Sequence, residues 1–207
     1  MEFMQVKPGD IEKRSFEIIT EELGNTILPA ENADVLKRVI HTTADFDYVS
    51  NLCFSENAVQ KAREAIINGA SIVTDTKMAQ AGIKASVLAE YGGKIYCFMS
   101  DPDVAERAKK LGLTRATVCM EKAASLEDEL IFAIGNAPTA LIALDELVKN
   151  GKIKPKLIIG VPVGFVNVAP AKELIMKAGI PYIVARGRKG GSNVAAAICN
   201  AILYGIK

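Results

Sequence analysis

The chain has 207 residues and a formal net charge of +1 at pH 7. Bulk nucleic-acid binding needs a broad basic face, so this near-neutral charge argues against it. Half of the residues are hydrophobic and none is Trp, which predicts a core of Ala, Val, Ile and Leu, the usual filling of a parallel sheet covered by helices. A chain of this length buries roughly 70% of its unfolded surface, so we expect a single domain over residues 1–207.

The cysteines and the N-terminus give no sign of a metal site or of a targeting segment. The chain has four cysteines without a CxxC pair and one histidine, so we expect no zinc site. Cys53, Cys97 and Cys199 lie among apolar residues, and we expect all three to be buried. Residues 1–10 lack the basic region and apolar run of a signal peptide, and no apolar run is long enough to span a membrane. These features predict a cytoplasmic protein with reduced thiols and no membrane partner.

Two amphipathic helices are predicted before the first strand. Asp10 can cap the first helix and Gly24 can end it. The second helix begins near Ala30, turns Val35 and its apolar neighbours inward, and ends near His41. Because both helices precede the regular part of the chain, we expect them to form an N-terminal helical addition.

From residue 55 onward, short apolar strands alternate with helices. The strands are predicted at residues 71–75, 94–99, 129–134, 157–161 and 181–185. The helices are predicted at residues 55–68, from 102 onward, at 114–123, from about 138 to 150, at 170–178 and from 192 to 204. This alternation predicts an α/β fold with a Rossmann-like, mostly parallel sheet and helices on both of its faces.

The single histidine, His41, is the first candidate for chemistry. An unperturbed imidazole has a pKa of about 6.5, so it can donate and accept protons near neutral pH. Arg38 lies three residues earlier, on the same side of the helix, and can bind an anionic group of the same ligand. The alternatives are that His41 is a hydrogen-bonded structural residue and that Arg38 is an ordinary surface cation.

Ligands of open α/β sheets bind outside the carboxyl ends of the strands. Polar residues or glycines follow the predicted strands at residues 75–77, 100–101, 135–136, 160–164 and 186–192. The last segment combines three cations with three glycines before a helix, so it can offer backbone N–H groups and guanidinium forks to carboxylates or phosphates. We interpret it as an anion site, and the alternative is a solvated turn. Residues 160–164 leave room for a bulky ligand, although a tight crossover loop has the same composition.

Several familiar site motifs are absent from the sequence. There is no GxGxxG motif and no Walker A loop, so the common nucleotide sites are not indicated. There is also no GxSxG elbow, and nothing pairs a serine or cysteine nucleophile with an oriented base. The anion is therefore not identified by these motifs.

Taken together, six segments resemble the precorrin-8X methylmutases of cobalamin biosynthesis. The matching segments are residues 38–42, 69–75, 113–115, 134–140, 160–166 and 184–192. The resemblance implies an isomerase that moves a methyl group between adjacent ring carbons of precorrin-8 or cobalt-precorrin-8, giving hydrogenobyrinate or cobyrinate. It implies no cofactor, no metal ligand in the protein, and a tetrapyrrole substrate, a corrinoid precursor.

The same resemblance implies roles for individual residues. His41 is the implied proton donor. The implied substrate-binding residues are Ser15, Arg38, Thr42, Thr76, Arg115, Asn136, Arg186, Gly187 and Arg188. Ser15 lies in mid-helix, where a hydroxyl that is solvated or bonded to its own helix is the structural alternative. No role is implied for Lys189.

Three further expectations remain open on the sequence. The resemblance implies a homodimer, in which some arginines of one pocket come from the second subunit. Residues 41–45 resemble the cobalt branch of the family, but the metal-free substrate is the alternative. A non-catalytic corrinoid- or nucleotide-binding module, or an isomerase that uses His41 as a base on another carboxylate or acyl substrate, would also fit the residues.

Overall fold

The computed structural model describes residues 4–206 of the chain. Residues 1–3 and residue 207 lie outside this range. The N-terminal segment 1–10, in which no signal peptide was predicted, and both ends of the predicted domain therefore lie partly outside the described residues.

Six strands form one sheet in the order β1-β6-β5-β4-β2-β3. The strands are β1 (Leu52–Phe54), β2 (Ser71–Thr74), β3 (Ile95–Tyr96), β4 (Leu130–Ile134), β5 (Leu157–Gly160) and β6 (Tyr182–Ala185). All neighbouring strands are parallel except β1, which pairs antiparallel with β6.

A short 3₁₀ turn, Pro8–Asp10, leads into the first helix. The helices are α1 (Ile11–Leu23), α2 (Ala33–Thr43), α3 (Tyr48–Asn51), α4 (Ala58–Ile67), α5 (Lys77–Gly82), α6 (Ala85–Glu90), α7 (Pro102–Leu111), α8 (Arg115–Ala123), α9 (Pro138–Lys149), α10 (Val168–Met176) and α11 (Ser192–Tyr204). No helix within residues 4–206 combines the length and apolar character that a membrane crossing requires.

The sheet is covered by helices on both faces, as the sequence predicts. Successive side chains of a strand point to opposite faces, and β4 illustrates this because all of its residues are buried. Ile131 and Ala133 contribute to a core formed with α2, α4 and α11. Phe132 and Ile134 contribute to a second core formed with α7, α8, α9 and α10. The prediction of an α/β fold with a mostly parallel sheet is therefore confirmed.

The edges of the sheet differ from the predicted pattern. Strand β1 was not predicted, because its three half-buried or buried residues are too few to produce a periodic signal. Strand β3 has only two residues and is shorter than the predicted segment 94–99. Cys97 and Cys199 are buried, but Cys53 lies on edge strand β1 and is only half-buried, so the expectation of burial was wrong for Cys53.

Strand β2 has later strands of the chain on both of its sides. Strand β3 lies on one side of β2, whereas β4, β5 and β6 follow in order on the other side. Successive strands are therefore added in opposite directions on the two sides of the boundary between β2 and β4, which are themselves parallel. In open α/β sheets, ligands bind at the carboxyl ends of the strands where the strand order reverses in this way. We call this place the switch point.

Candidate active site

A buried aspartate organises the switch point. Asp75 follows β2 and is fully buried. Its carboxylate accepts N–H bonds from Gly135 at 2.9 Å, from Asn136 at 2.8 Å and from Ala137 at 2.6 Å. Burial raises the pKa of the Asp75 carboxyl, while the three donors favour the carboxylate and oppose this shift. The sequence pointed to the segment containing Asp75 but gave this residue no role.

The N-terminus of α11 packs directly on the switch point. The Ser192 hydroxyl lies 2.8 Å from the hydroxyl of Thr76. Thr76 also accepts an N–H bond from Ala79 and so caps α5. A side chain at Gly135 would overlap the backbone of Ser192, so glycine alone permits this close approach. The hydroxyl of Thr76 is therefore engaged within the protein.

Residues 186–191, which we call the cationic loop, pack against the loop after β5. Gly191 donates its N–H to the carbonyl of Val161 at 2.8 Å, and Gly164 donates to the carbonyl of Arg188 at 3.1 Å. At Gly190, φ is +155°, and a Cβ there would overlap the Val161 carbonyl oxygen. The glycines predicted to admit a ligand therefore also allow two loops to touch.

The arginine side chains of the cationic loop point outward. The Nε of Arg186 lies 2.8 Å from a carboxylate oxygen of Glu173, which raises the pKa of the guanidinium. The guanidinium carbon of Arg188 lies 5.4 Å from the ring centroid of Phe165. Phe165 and Val166 are 81% and 80% exposed. Cations and apolar side chains thus lie together on an accessible surface, an arrangement suited to a ligand with both characters.

Two lysines connect the cationic loop to its surroundings, Lys172 of α10 and Lys189 of the loop itself. Lys172 of α10 is fully buried and donates to the carbonyls of Gly187 at 2.9 Å and Lys189 at 2.7 Å. Burial lowers the pKa of Lys172 to about 8. The Nζ of Lys189 lies 2.7 Å from Asp45 and 2.6 Å from Asp47, and these bonds raise the pKa of Lys189. No sequence motif marks Lys172, because a lysine in an amphipathic helix is ordinarily solvated.

His41 lies in the last turn of α2, with an exposed side chain. Its ring stacks on the ring of Phe16 in α1, with centroids 5.2 Å apart and planes 10° from parallel. Among the hydrogen bonds within residues 4–206, none involves the imidazole. Both ring nitrogens thus remain available to a ligand, which argues against the alternative of a hydrogen-bonded structural histidine.

A depression of about 330 Å³ adjoins His41, and we call it the histidine depression. It is lined by Ser15, Ile18, Ile19, Glu22, Ile40, His41, Ala44 and Phe46. The Ser15 hydroxyl donates to the Ile11 carbonyl of its own helix at 2.9 Å. This is the bond named as the structural alternative for Ser15, although the residue also lines the depression.

Arg38 also contacts Phe16, the residue on which His41 stacks. Its guanidinium carbon is 4.8 Å from the ring centroid of Phe16 and 5.3 Å from that of Tyr204, and it forms an ion pair with Glu12. Arg38 lines a separate depression of about 280 Å³. Phe16 therefore contacts both His41 and Arg38, but the two predicted site residues do not share one cavity.

The remaining predicted residues lie at the carboxyl edge or beside the histidine. Thr42 is exposed next to His41, and Asn136 is exposed in the loop after β4. Arg115 is exposed at the start of α8, where the hydroxyl of Thr114 lies 2.8 Å from that of Thr139 in α9. Arg115 therefore stands near the start of α9, on the same edge as Asn136. The structure thus forms two groups of site residues, one on α1 and α2 and one at the strand ends.

Within the described residues, neither a cluster of metal ligands nor a reactive thiol forms a second candidate site. Within residues 4–206, no three His, Cys, Asp or Glu side chains are grouped as a metal site would require. Burial raises the pKa values of Cys119 and Cys199 to about 12. These thiols remain protonated near neutral pH and are poor nucleophiles.

The chain is similar to known proteins over almost its whole length. The family model Precorrin-8X methylmutase matches residues 10–205. The chain is 46% identical over 199 residues to the cobalt-precorrin-8 methylmutase of Priestia megaterium, covering 96% of this chain and 88% of that protein. It is 39% identical over 194 residues to the precorrin-8X methylmutase of Pseudomonas aeruginosa, covering 93% of each.

A solved structure extends the likeness to the fold. The precorrin-8X methylmutase of Thermus thermophilus matches with a TM-score of 0.86 at 38% identity, covering 94% of this chain and 96% of that chain. Sequence and fold thus agree over almost the whole length. The chain therefore belongs to the precorrin-8X methylmutase family, whose members are intramolecular methyl-transferring isomerases of corrin biosynthesis.

Proposed function

We propose that the chain moves a methyl group between adjacent ring carbons of precorrin-8 or cobalt-precorrin-8, with His41 as the proton donor. The observation that carries the role of His41 is its exposed imidazole, stacked on Phe16 beside an open depression. The product, hydrogenobyrinate or cobyrinate, is an isomer of the substrate. A proton given by the imidazole must therefore be recovered when the rearranged ring loses one.

The protein's own contribution is proton transfer and positioning. A positioned acid typically raises a rate by about 10²–10⁴-fold. Stacking on Phe16 restricts the orientation of the imidazole ring, which favours transfer to one atom of a bound ligand. The remaining acceleration comes from holding the macrocycle in a reactive geometry. This division predicts that loss of His41 removes turnover but leaves binding largely intact.

Substrate binding is assigned to the cations around the two groups of site residues. The corrinoid precursor carries acetate and propionate arms, and guanidinium groups bind carboxylates in bidentate geometry. We assign this role to Arg38, Arg115, Arg186 and Arg188. Thr42, Thr76, Asn136, Ser15 and Gly187 are assigned polar contacts. Arg38 and Arg186 already contact Glu12 and Glu173, so a substrate arm would take the place of a protein carboxylate.

A homodimer is part of the same proposal. The histidine depression measures about 330 Å³, which is near the lower limit of pockets that enclose a drug-sized ligand. A tetrapyrrole is larger than such ligands, so a second surface is needed to exclude water. A second copy of the chain, contributing cations of its own, would supply that surface.

The cobalt-containing precursor is the favoured substrate. The relatives at 46% and 45% identity are cobalt-precorrin-8 methylmutases, whereas of two relatives at 39% identity one is a cobalt-precorrin-8 methylmutase and the other a precorrin-8X methylmutase. This ordering agrees with the resemblance of residues 41–45 to the cobalt branch. In either case the cobalt belongs to the substrate.

An anaerobic absorbance assay tests the proposed function. Wild type and His41→Ala are each given the metal-free and the cobalt-containing precursor, and product binding is titrated separately. We expect conversion by wild type, faster with the cobalt form, and a loss of at least 100-fold in kcat for His41→Ala with product affinity retained. Product binding without conversion by folded wild type would instead identify a corrinoid-binding module. Conversion that survives His41→Ala would remove His41 from the mechanism.

A further inference from the structure

Lys172 is a buried cation that the proposed mechanism does not use. Its side chain in α10 is fully buried. No carboxylate within residues 4–206 lies at ion-pair distance from its Nζ. Burying an ammonium group without a carboxylate disfavours the charged form, and burial lowers the pKa of Lys172 to about 8. Its burial distinguishes Lys172 from the solvated lysines on the surface of the protein.

Within residues 4–206, the Nζ of Lys172 forms hydrogen bonds only with the backbone of the cationic loop. It donates to the carbonyls of Gly187 and Lys189, at 2.9 Å and 2.7 Å. The carbonyl between them, that of Arg188, accepts the N–H of Gly164 at 3.1 Å. Three consecutive carbonyls are therefore held by donors from outside the loop, and Arg188 lies at the centre of the fixed segment.

The direction of these carbonyls has an electrostatic consequence. A carbonyl oxygen carries partial negative charge and repels a carboxylate. By drawing two of them inward, Lys172 leaves the outer surface of the loop to the guanidinium groups. Arg188 itself has an exposed side chain, and the buried contacts constrain only its backbone.

We propose that Lys172 is a positioning residue, whose buried ammonium group fixes the cationic loop so that Arg188 meets a carboxylate arm of the substrate. This inference rests on the proposed function, because it assigns the loop to carboxylate binding. Lys172 contacts neither substrate nor reacting atoms in this assignment. Its removal should weaken binding and leave the chemical step largely unchanged.

The first test measures the loop itself and does not depend on turnover. Lys172→Met keeps an aliphatic chain of similar length but removes the donors and the charge. Gly191 donates its N–H from the loop and Gly164 donates its N–H to the loop, and we expect hydrogen exchange of these two amides to accelerate at least tenfold in this variant. The matched control is Lys177→Met, which removes an exposed lysine that follows the same helix and should leave exchange unchanged. Unchanged exchange in a folded Lys172→Met protein would overturn the proposal.

The second test measures how the loop affects substrate binding and turnover. For Lys172→Met we expect KM to rise roughly tenfold with kcat within about threefold of wild type. If Lys172 acts through Arg188, its effect on KM should largely disappear in the background of Arg188→Ala, because residues acting through one another are not additive. Additive effects, or a fall in kcat alone, would contradict the proposal. If wild type binds product without turnover, product affinity replaces KM in the same comparison.

A merely structural lysine gives a different pattern. Loss of Lys172 would then lower the midpoint of unfolding and leave the KM of the folded fraction unchanged. Removing a buried charge offsets part of the loss of its hydrogen bonds, so we expect Lys172→Met to fold. Should it not fold, Lys172→Gln retains an N–H donor group and carries the same comparison. We expect Lys172→Gln to restore part of the loop protection and of the substrate affinity, and no gain over Lys172→Met would count against the proposal.

Discussion

The aromatic ring of Phe16 occupies a central position among the candidate site residues. It stacks on His41 and lies 4.8 Å from the guanidinium carbon of Arg38. A guanidinium over an aromatic ring is attracted to the ring face, and a stacked imidazole loses rotational freedom. One apolar side chain of α1 therefore sets the orientation of two polar side chains of α2.

Replacing Phe16 with leucine keeps an apolar side chain in α1 but removes the aromatic ring on which His41 stacks. The variant therefore tests whether the ring orients the imidazole. We expect kcat to fall roughly tenfold, because the imidazole gains orientations that do not deliver a proton. His41 is the only histidine of the chain, so its imidazole gives a single pair of ring-proton signals in an NMR spectrum. In Phe16→Leu these signals should lose the ring-current shift that Phe16 imposes. Unaltered signals together with full activity would remove Phe16 from the orientation of His41.

Single residues also mark how far the sequence could predict the site. His41 was identified because it is unique, and Arg186 and Arg188 because cations and glycines cluster before a helix. The sequence did not single out Asp75 or Lys172. What distinguishes each is its burial and its contacts with the backbone, which only the folded chain creates. Ser15 was identified by resemblance alone, and the structure adds the bond from its hydroxyl to Ile11.

At the scale of elements, the cationic loop forms ion pairs with the turn that follows α2. Lys189 contacts Asp45 and Asp47, which lie in the turn after the helix that carries His41. Lys189 and Asp47 are exposed and Asp45 is half-buried, and ion pairs that water and salt reach contribute little because they are screened. The buried bonds from Lys172 should therefore fix the loop more strongly than the visible ion pairs of Lys189.

The variant Lys189→Met tests this ranking of the two contacts. We expect its unfolding midpoint in urea to equal that of wild type, and its KM to change by less than about threefold. Lys177→Met again serves as the control for removal of one positive charge. A rise in KM as large as that of Lys172→Met would show that the exposed ion pairs, rather than the buried bonds, hold the loop.

The helices and strands differ in how clearly the sequence predicts them. Strands β4 and β5 are apolar and fully buried, and β2 and β6 each have apolar residues at their centre and at most one residue that is not fully buried. Such short apolar segments between helices are enough to predict these four strands. Strand β1 is three residues at an edge, and helices α5 and α6 are six residues each. Such short elements are specified by their neighbours in space, which a linear pattern does not contain.

At the scale of the whole molecule, the first and last parts of the chain are packed together. The apolar face of α2, formed by Val35, Leu36 and Val39, belongs to the same core as α11. Strand β1 pairs with β6, the last strand of the chain. The N-terminal helices were expected to be an addition to the sheet. The buried face of α2 makes that helix part of the sheet's core as well, whereas α1 buries only Ile19 and contributes no residue to this core.

Removal of α11 should therefore affect a distant helix. A chain ending at residue 190 leaves the apolar face of α2 without its principal partner. We expect this truncated chain to lose cooperative unfolding and to expose apolar surface to the dye ANS. As a control, Tyr204→Ser changes an exposed residue at the end of α11 and should retain cooperative unfolding. A truncated chain that still unfolds cooperatively would show that α2 is stabilised by other contacts.

The pairing of β1 with β6 and of α2 with α11 also determines when the site can form. During synthesis the helix that bears His41 emerges well before its packing partner α11 and the cationic loop. Contacts between such distant parts of a chain close loops of high entropy and form slowly. The imidazole and the arginines of the cationic loop therefore come together only when these long-range contacts have formed.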